Sequence, residues 1–338
     1  MTVAETAPTP IGINLHSHLE GSIRVSTAVE LATELGISEP EGGWASMLQM
    51  RERGTLTTFL WHVAQGYPLL ASPDAIRRTV AEAVEDAHAD GAAYLELRFG
   101  PATHATHGHS INEVIVAAVE GLDAGVRSTG LPAGLVACAL RHHPDATNLA
   151  VARGAAAFAG RGVVGFDVAG DELLFPDLRP MREPFAIAAA AGLGLTAHAA
   201  EAGPAESARD AVDMLGVRRI GHGSAVADQP DLLEWARQAA VCFEVCPTSN
   251  VLTGAAASYD GHPVRAFIEA GCDVVVGDDD PTTTRTPLSA EMTHLANDVG
   301  VTADQIRRIH AVSVERAFCD ESTRASIRER LRGMAAAE

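Results

Sequence analysis

Eight short runs rich in β-branched and apolar residues recur along the chain, separated by longer Ala/Glu/Arg segments of helical period. They read IGINLHSH, AYLELRFG, LPAGLVACAL, VVGFDVAG, GLGLTAHAAE, RRIGHGS, AVCFEVCPTSN and CDVVVGDDDP. Strands that alternate with helices pair in parallel, because each crossover returns the chain to the same end of the sheet. Eight such units predict one α/β domain, a (β/α)8 TIM-type barrel. With 338 residues, 47% of them hydrophobic, the chain is long and apolar enough for such a barrel. PDAIRRTVAEAVEDAHADG opens on Pro73 and Asp74 and stops at Gly91, while ESARDAVDMLG stops at Gly216. The segment 20–92 is too long for one crossover helix, so a helical insertion is expected after the first strand. No Pro/Gly/Ser-rich linker divides the chain, and residues 1–338 read as a single domain.

Charge and composition remove whole classes of function. A net charge of −19 argues against a nucleic-acid partner or an anionic membrane surface. All 25 basic residues are arginine. Without lysine there is no Schiff-base chemistry, no pyridoxal phosphate anchor, no P-loop and no carboxylated-lysine bridge between two metals. Cys138, Cys242, Cys246, Cys272 and Cys319 form no C-x-x-C pair and mostly sit in apolar runs, as buried thiols in a reducing compartment do. MTVAETAPTP has neither the basic nor the apolar region of a signal peptide, and no long apolar stretch suggests a membrane span. A cytoplasmic protein is expected.

Polar residues stand where the strands end. In INLHSHLEG, His16 and His18 are two apart, and the period of a strand turns both imidazoles to one side. Asp167 and Gly170 end the fourth run, His198 and Glu201 the fifth, His222 the sixth, and Asp278, Asp279 and Asp280 the eighth. In a barrel these ends share one rim, the one that carries active sites. Each has a structural alternative: Asp278 as a helix cap, His222 in a turn, Glu201 in solvent. Their coincidence at one rim favours chemistry. His16, His18, His198 and one aspartate make an open metal set suited to Zn²⁺, which would lower the pKa of a bound water toward about 7. Glu201, three residues past His198, is placed as a general acid/base, and His222 either orients or deprotonates the water. The second acid of the pair before Pro281 is placed to bind a substrate ring nitrogen. The chemistry is metal-assisted hydrolysis at an unsaturated carbon.

From NLHSHLEGS through VVGFDVAGDE, TAHAAEAGP, RIGHG and EVCPTSN to GDDDP, the chain resembles the adenosine deaminase family nearly end to end. The resemblance implies one Zn²⁺ held by His16, His18, His198 and Asp279. It implies hydroxide attack at C6 of a 6-aminopurine, with Glu201 protonating N1, His222 positioning the hydroxide, and Asp279 counted with them as catalytic. Asp280 would contact N7 and the Gly170 N–H would contact N3, with His18 and Glu20 also facing substrate. The purine comes from the resemblance alone.

Three positions depart from the family's usual signatures. Glu20 stands where adenosine-specific members often carry aspartate against the ribose 5′-hydroxyl. Glutamate there also resembles members that act on adenine or on a 5′-modified adenosine such as aminodeoxyfutalosine. Ala200 replaces the glycine before Glu201, and Asp278 adds a third carboxylate before the metal and purine contacts. Asp167 reads equally as a brace of the barrel interior. Asp171 and Glu172 read as a helix start, and the segment after Cys246 as a loop without chemistry. THATHGHS reads as a mobile surface loop whose histidines, His104, His107 and His109, bind no metal. Two rivals fall short: a binuclear amidohydrolase needs the missing lysine, and a cytidine-deaminase-type site needs H-x-E with P-C-x-x-C. A non-catalytic purine-binding barrel is disfavoured because Glu201 and every ligand are present.

Overall fold

A computed structural model describes residues 12–335 of the protein. Ile11, expected to open the first strand, and the N-terminal segment compared above with a signal peptide lie outside them. The eight runs are eight parallel strands: β1 Gly12–His18, β2 Ala92–Phe99, β3 Ala133–Leu140, β4 Val163–Ala169, β5 Gly194–Ala199, β6 Arg219–His222, β7 Cys242–Val245 and β8 Asp273–Val276. They pair in sequence order. The ring closes at its C-terminal rim, where Asp279 N donates to His16 O (2.9 Å) and His18 N donates to Asp279 O (2.6 Å). Closure therefore runs through three of the expected metal ligands.

The insertion after β1 holds helices at Val25–Leu35, Gly43–Leu48, Leu56–Ala64 and Pro73–Ala89. The last begins on a Ser72 cap followed by proline, and a Ser110/Glu113 capping box opens Ile111–Thr129. These two long helices pack closely because Gly121 and Gly125 face the first one. A Cβ on Gly121 would lie 2.4 Å from Arg77 O. Among the described residues no helix is long and apolar enough to cross a membrane. All five cysteines are free thiols, four of them buried.

Two expectations fail locally. The run AVCFEVCPTSN ends as a strand at Val245, and Pro247–Thr253 is a helix. Pro247 lacks an N–H for the ladder and carries the φ of a first helical residue. Asp171 and Glu172 open a turn, not a helix: Asp171 Oδ1 accepts from Leu173 N and Leu174 N, and Pro176 follows.

Charged residues occupy strand positions that point into the barrel. Arg98 on β2 reaches Asp167 on β4 (2.8 Å) and Glu244 on β7 (2.9 Å), which is possible only across the interior. Arg219 on β6 donates to Glu244 Oε1 (2.5 Å) and pairs with Glu96 (2.7 Å). This ionic layer is buried and lies beneath the rim.

Candidate active site

His16 Nε2, His18 Nε2, His198 and Asp279 converge at the rim, their ligand atoms all within 4.8 Å of one another. His18 Nε2 and His198 Nε2 are 3.2 Å apart, and Asp279 Oδ1 lies 3.2 Å from His16 Nε2 and 3.5 Å from His18 Nε2. The second nitrogen of each deeper histidine faces a carboxylate: His16 Nδ1 meets Glu244 Oε2 at 2.8 Å, and His198 Nδ1 stands 3.0 Å from Asp167 Oδ2. At His16 a hydrogen on Nδ1 leaves the Nε2 lone pair turned inward. His16 Nε2 is buried with no hydrogen-bond partner. An orphaned imidazole lone pair in a three-nitrogen, one-oxygen set fits Zn²⁺ in an open site. Asp167, read from sequence as a possible interior brace, serves Arg98 and His198 together.

The backbone is bent to bring this set together. Ala200, His222 and Asp279 have φ of 56°, 61° and 60°, in the left-handed region. At Asp279 the turn breaks the strand alternation and separates the three acids. Asp279 joins the histidines, and Asp280 lines the cavity above them. Asp278 turns away to a second cavity with Asn14 and Ser17 and is not among the metal-binding group. Gly21 and Gly277 permit the crowding: a Cβ on Gly21 would lie 1.9 Å from Asp280 Oδ1, and one on Gly277 2.3 Å from His16 O.

Above the set opens a cavity of about 380 Å³, lined by Glu20, Gly170, Glu201, His222 and Asp280 and walled by the helix Leu56–Ala64 and the turn after β4. Thr57 Oγ1 donates to Asp171 Oδ2 (2.7 Å) across the two walls, and Trp61, Leu174 and Phe175 are exposed at the mouth. Gly170 has a φ of 107°, which a residue with a side chain avoids. Among the described residues no arginine lines this cavity.

Two carboxyls in the wall are pushed toward their neutral forms. Burial, then the charge of Asp279, pushes Glu201 well above the usual carboxylate range, and burial with Asp279 and Glu20 does the same to Asp280. Burial holds His222 well below the usual histidine value despite Asp279 nearby. His222 Nε2 lies 3.8 Å from Glu201 Oε1. Glu172 accepts from Ala200 N, Ala202 N and Gly203 N (3.1, 2.6 and 2.7 Å), so it fastens the loop that carries Glu201.

Three residues carry weight that sequence reasoning missed. His104 is buried, not part of a mobile surface loop, and its Nε2 lies 2.9 Å from Glu20 Oε1, which also accepts from Gly100 N (2.8 Å). The Gly-Pro step at Gly100–Pro101 starts a short helix that turns His104 inward. Asn250, in the segment read as a loop without chemistry, contacts His222 Nδ1 at 3.0 Å. Glu244, a lone acid in the apolar strand CFEV, had a signal: a charge at an otherwise buried strand position needs a partner inside the barrel.

An open metal set at this rim, with a carboxyl within reach, is built to activate water for hydrolysis. The protein is of that class, a zinc-dependent aminohydrolase and hence an enzyme. The adenosine deaminase family model matches residues 12–334, and the chain belongs to that family. It is 30% identical over 320 residues to an adenosine deaminase of Clostridium perfringens, covering 94% of this chain and 96% of that one. An adenosine deaminase of Shewanella denitrificans is 34% identical over 322 residues, covering 93% and 96%. Among solved structures, the adenine deaminase of Arthrobacter aurescens superposes with a TM-score of 0.87 at 23% identity, covering 97% and 99%. A zinc-bound amidohydrolase from Burkholderia ambifaria gives 0.86 at 25%, covering 98% and 93%. The apo N6-methyl-AMP deaminase of Arabidopsis thaliana gives 0.86 at 22%, covering 98% of each chain.

Proposed function

We propose that the protein hydrolyses the 6-amino group of an uncharged 6-aminopurine, with adenosine and 2′-deoxyadenosine as first substrates, leaving the 6-oxopurine and ammonia. The observation that carries this reading is Glu201, buried in the cavity wall 3.8 Å from His222 Nε2, beside the three-histidine, one-aspartate set at the cavity floor. His16, His18, His198 and Asp279 would hold one Zn²⁺, which when bound lowers the pKa of a water to about 7 and so supplies a nucleophile at neutral pH. Glu201 gives its proton to ring N1, so that the electrons displaced from the attacked carbon come to rest on a neutral nitrogen. Asp280, pushed up in the same way by burial and Asp279, would donate to N7, an acceptor on every purine. The Gly170 N–H faces N3, and Asp279 and His222 act on the attacking oxygen. His18 borders the bound purine. Glu20, steadied by His104 and Gly100, faces the sugar side.

The lining favours substrates without phosphate, because neither arginine nor lysine stands in the cavity wall to pair with one. Glu20 supports a second reading, free adenine or a 5′-modified adenosine, since it lines the cavity where a ribose 5′-hydroxyl would sit and is one methylene longer than the aspartate of adenosine-specific members. The whole chain is read as one barrel domain. It is assigned to the cytoplasm on its five free thiols, with no nucleic-acid partner on its net charge of −19.

Ammonia release is the test, measured on zinc-loaded protein with adenosine, 2′-deoxyadenosine, adenine, 5′-substituted adenosines and AMP. Adenosine turnover that falls by about 10²–10⁴-fold in Glu201→Gln, with AMP inert, is expected. Full activity in Glu201→Gln would remove the assigned acid. Turnover confined to adenine or to 5′-substituted nucleosides would move the assignment to the second reading.

A further inference from the structure

A neutral imidazole at His222 is a donor or an acceptor toward the cavity according to which ring nitrogen carries the hydrogen. The far nitrogen decides, and its partners form a chain that ends on the backbone. Val264 N donates to His262 Nδ1 (3.1 Å). A backbone N–H can only donate, so His262 Nδ1 carries no hydrogen. Burial pushes His262 down to about 4, so the ring is neutral and its one hydrogen is on Nε2. That hydrogen faces Asn250 Oδ1 at 3.2 Å. The amide is thereby oriented, oxygen toward His262 and nitrogen toward His222. Asn250 Nδ2 then donates to His222 Nδ1 across 3.0 Å. The ring hydrogen of His222 is left on Nε2, the nitrogen that faces Glu201 and Asp279. Exposure of 1%, 0% and 2% for His222, Asn250 and His262 leaves little room for water to replace any link.

We propose that Asn250 and His262 are positioning residues that hold His222 as its Nε2–H tautomer, so that His222 donates a hydrogen bond to the attacking oxygen and does not take its proton. The proton of that water passes instead to a carboxylate, and Asp279 Oδ2, 4.0 Å from His222 Nε2, is the oxygen that shares the space. The catalytic consequence rests on the deaminase reading. The tautomer does not, since it follows from the contacts behind the ring.

Nitrogen NMR of protein labelled with ¹⁵N-histidine reads the tautomer directly, with His222→Gln used for assignment. A pyrrole-type shift at His222 Nε2 and a pyridine-type shift at Nδ1 are expected in the wild type. In Asn250→Asp the carboxylate can only accept, so the hydrogen moves to Nδ1 and the pattern changes, while kcat falls about 100-fold or more and KM stays within about threefold. His262→Gln keeps a donor toward Asn250 Oδ1 and should preserve the wild-type pattern, whereas His262→Leu removes it and should blur the two shifts. A hydrogen on Nδ1 in the wild type overturns the relay, whatever the protein deaminates. A changed pattern in Asn250→Asp with kcat intact overturns its catalytic role. Because the shifts are recorded without substrate, failure of the deaminase reading and failure of the relay give different results.

Discussion

His16 and His198 on one side of the site, and His222 on the other, are braced by opposite chemistry. Behind the first two stand ionised carboxylates, Glu244 and Asp167, both tied to the guanidinium of Arg98. Behind His222 stands the neutral chain Asn250–His262–Val264 N. All of these groups are buried, so burial does not distinguish the two sides. Charge does. A carboxylate behind an imidazole strengthens it as a metal ligand, and the buried anions then need Arg98 and Arg219 to offset them. An amide fixes a ring's hydrogen without giving it charge, which suits a histidine that must remain neutral beside a metal.

The harshest way to break the charged side is Arg98→Met. Two buried carboxylates would lose a shared cation, and a loss of about 3–5 kcal/mol is expected, read from urea unfolding. If the loss is under about 1 kcal/mol, the ionic layer is not what holds this side together.

The neutral side should answer to acid. His262 titrates at about 4 in the folded protein, against about 6.5 in an unfolded chain. Between those values the unfolded state binds the proton that the folded state refuses. Stability is therefore full above about pH 6.5 and is lost as pH falls toward 4, by about 3 kcal/mol from this residue. His262→Gln should remove that part of the acid sensitivity, seen as a smaller difference between urea midpoints at pH 7 and pH 4.5. An unchanged difference would mean that the acid sensitivity lies elsewhere.

Glu244→Gln sharpens the comparison at the metal itself. With the charge behind His16 gone, zinc affinity should weaken about 10–100-fold in chelator competition. The matching change on the other side, Asn250→Asp, should leave zinc affinity within about threefold while altering turnover. Equal effects on affinity would erase the distinction between the two sides. The smallest expected effect is at Ala200, whose φ of 56° is one that glycine adopts without strain. Ala200→Gly should raise stability by about 1 kcal/mol in thermal or urea unfolding.

Much of this molecule was legible in its sequence, and the reason is periodicity. A strand places alternate residues on one face, so the spacing of H-x-H was enough to imply two imidazoles side by side. Alternating strands and helices implied a parallel barrel, and hence that residues at eight separate strand ends would share one rim. The bracing was less legible, because its partners are far apart in the chain. His222 and Asn250 are separated by 28 positions, and His16 and Glu244 by 228. The histidine-rich loop misled for a related reason: composition suggested exposure, but the turn at Gly100–Pro101 carries His104 under the insertion and onto Glu20. The three acids before Pro281 could not be separated by alternation, since the left-handed turn at Asp279 interrupts it.

The sequence by itself therefore determined the barrel, the rim and the residue types that meet there, because local hydrophobic period and strand order are written in consecutive residues. Only the tertiary structure decided which carboxylate stands behind which imidazole, where Asp278 turns, and which nitrogen of His222 carries the hydrogen. Those outcomes depend on ångström-scale contacts between elements that are brought together only when β8 closes against β1.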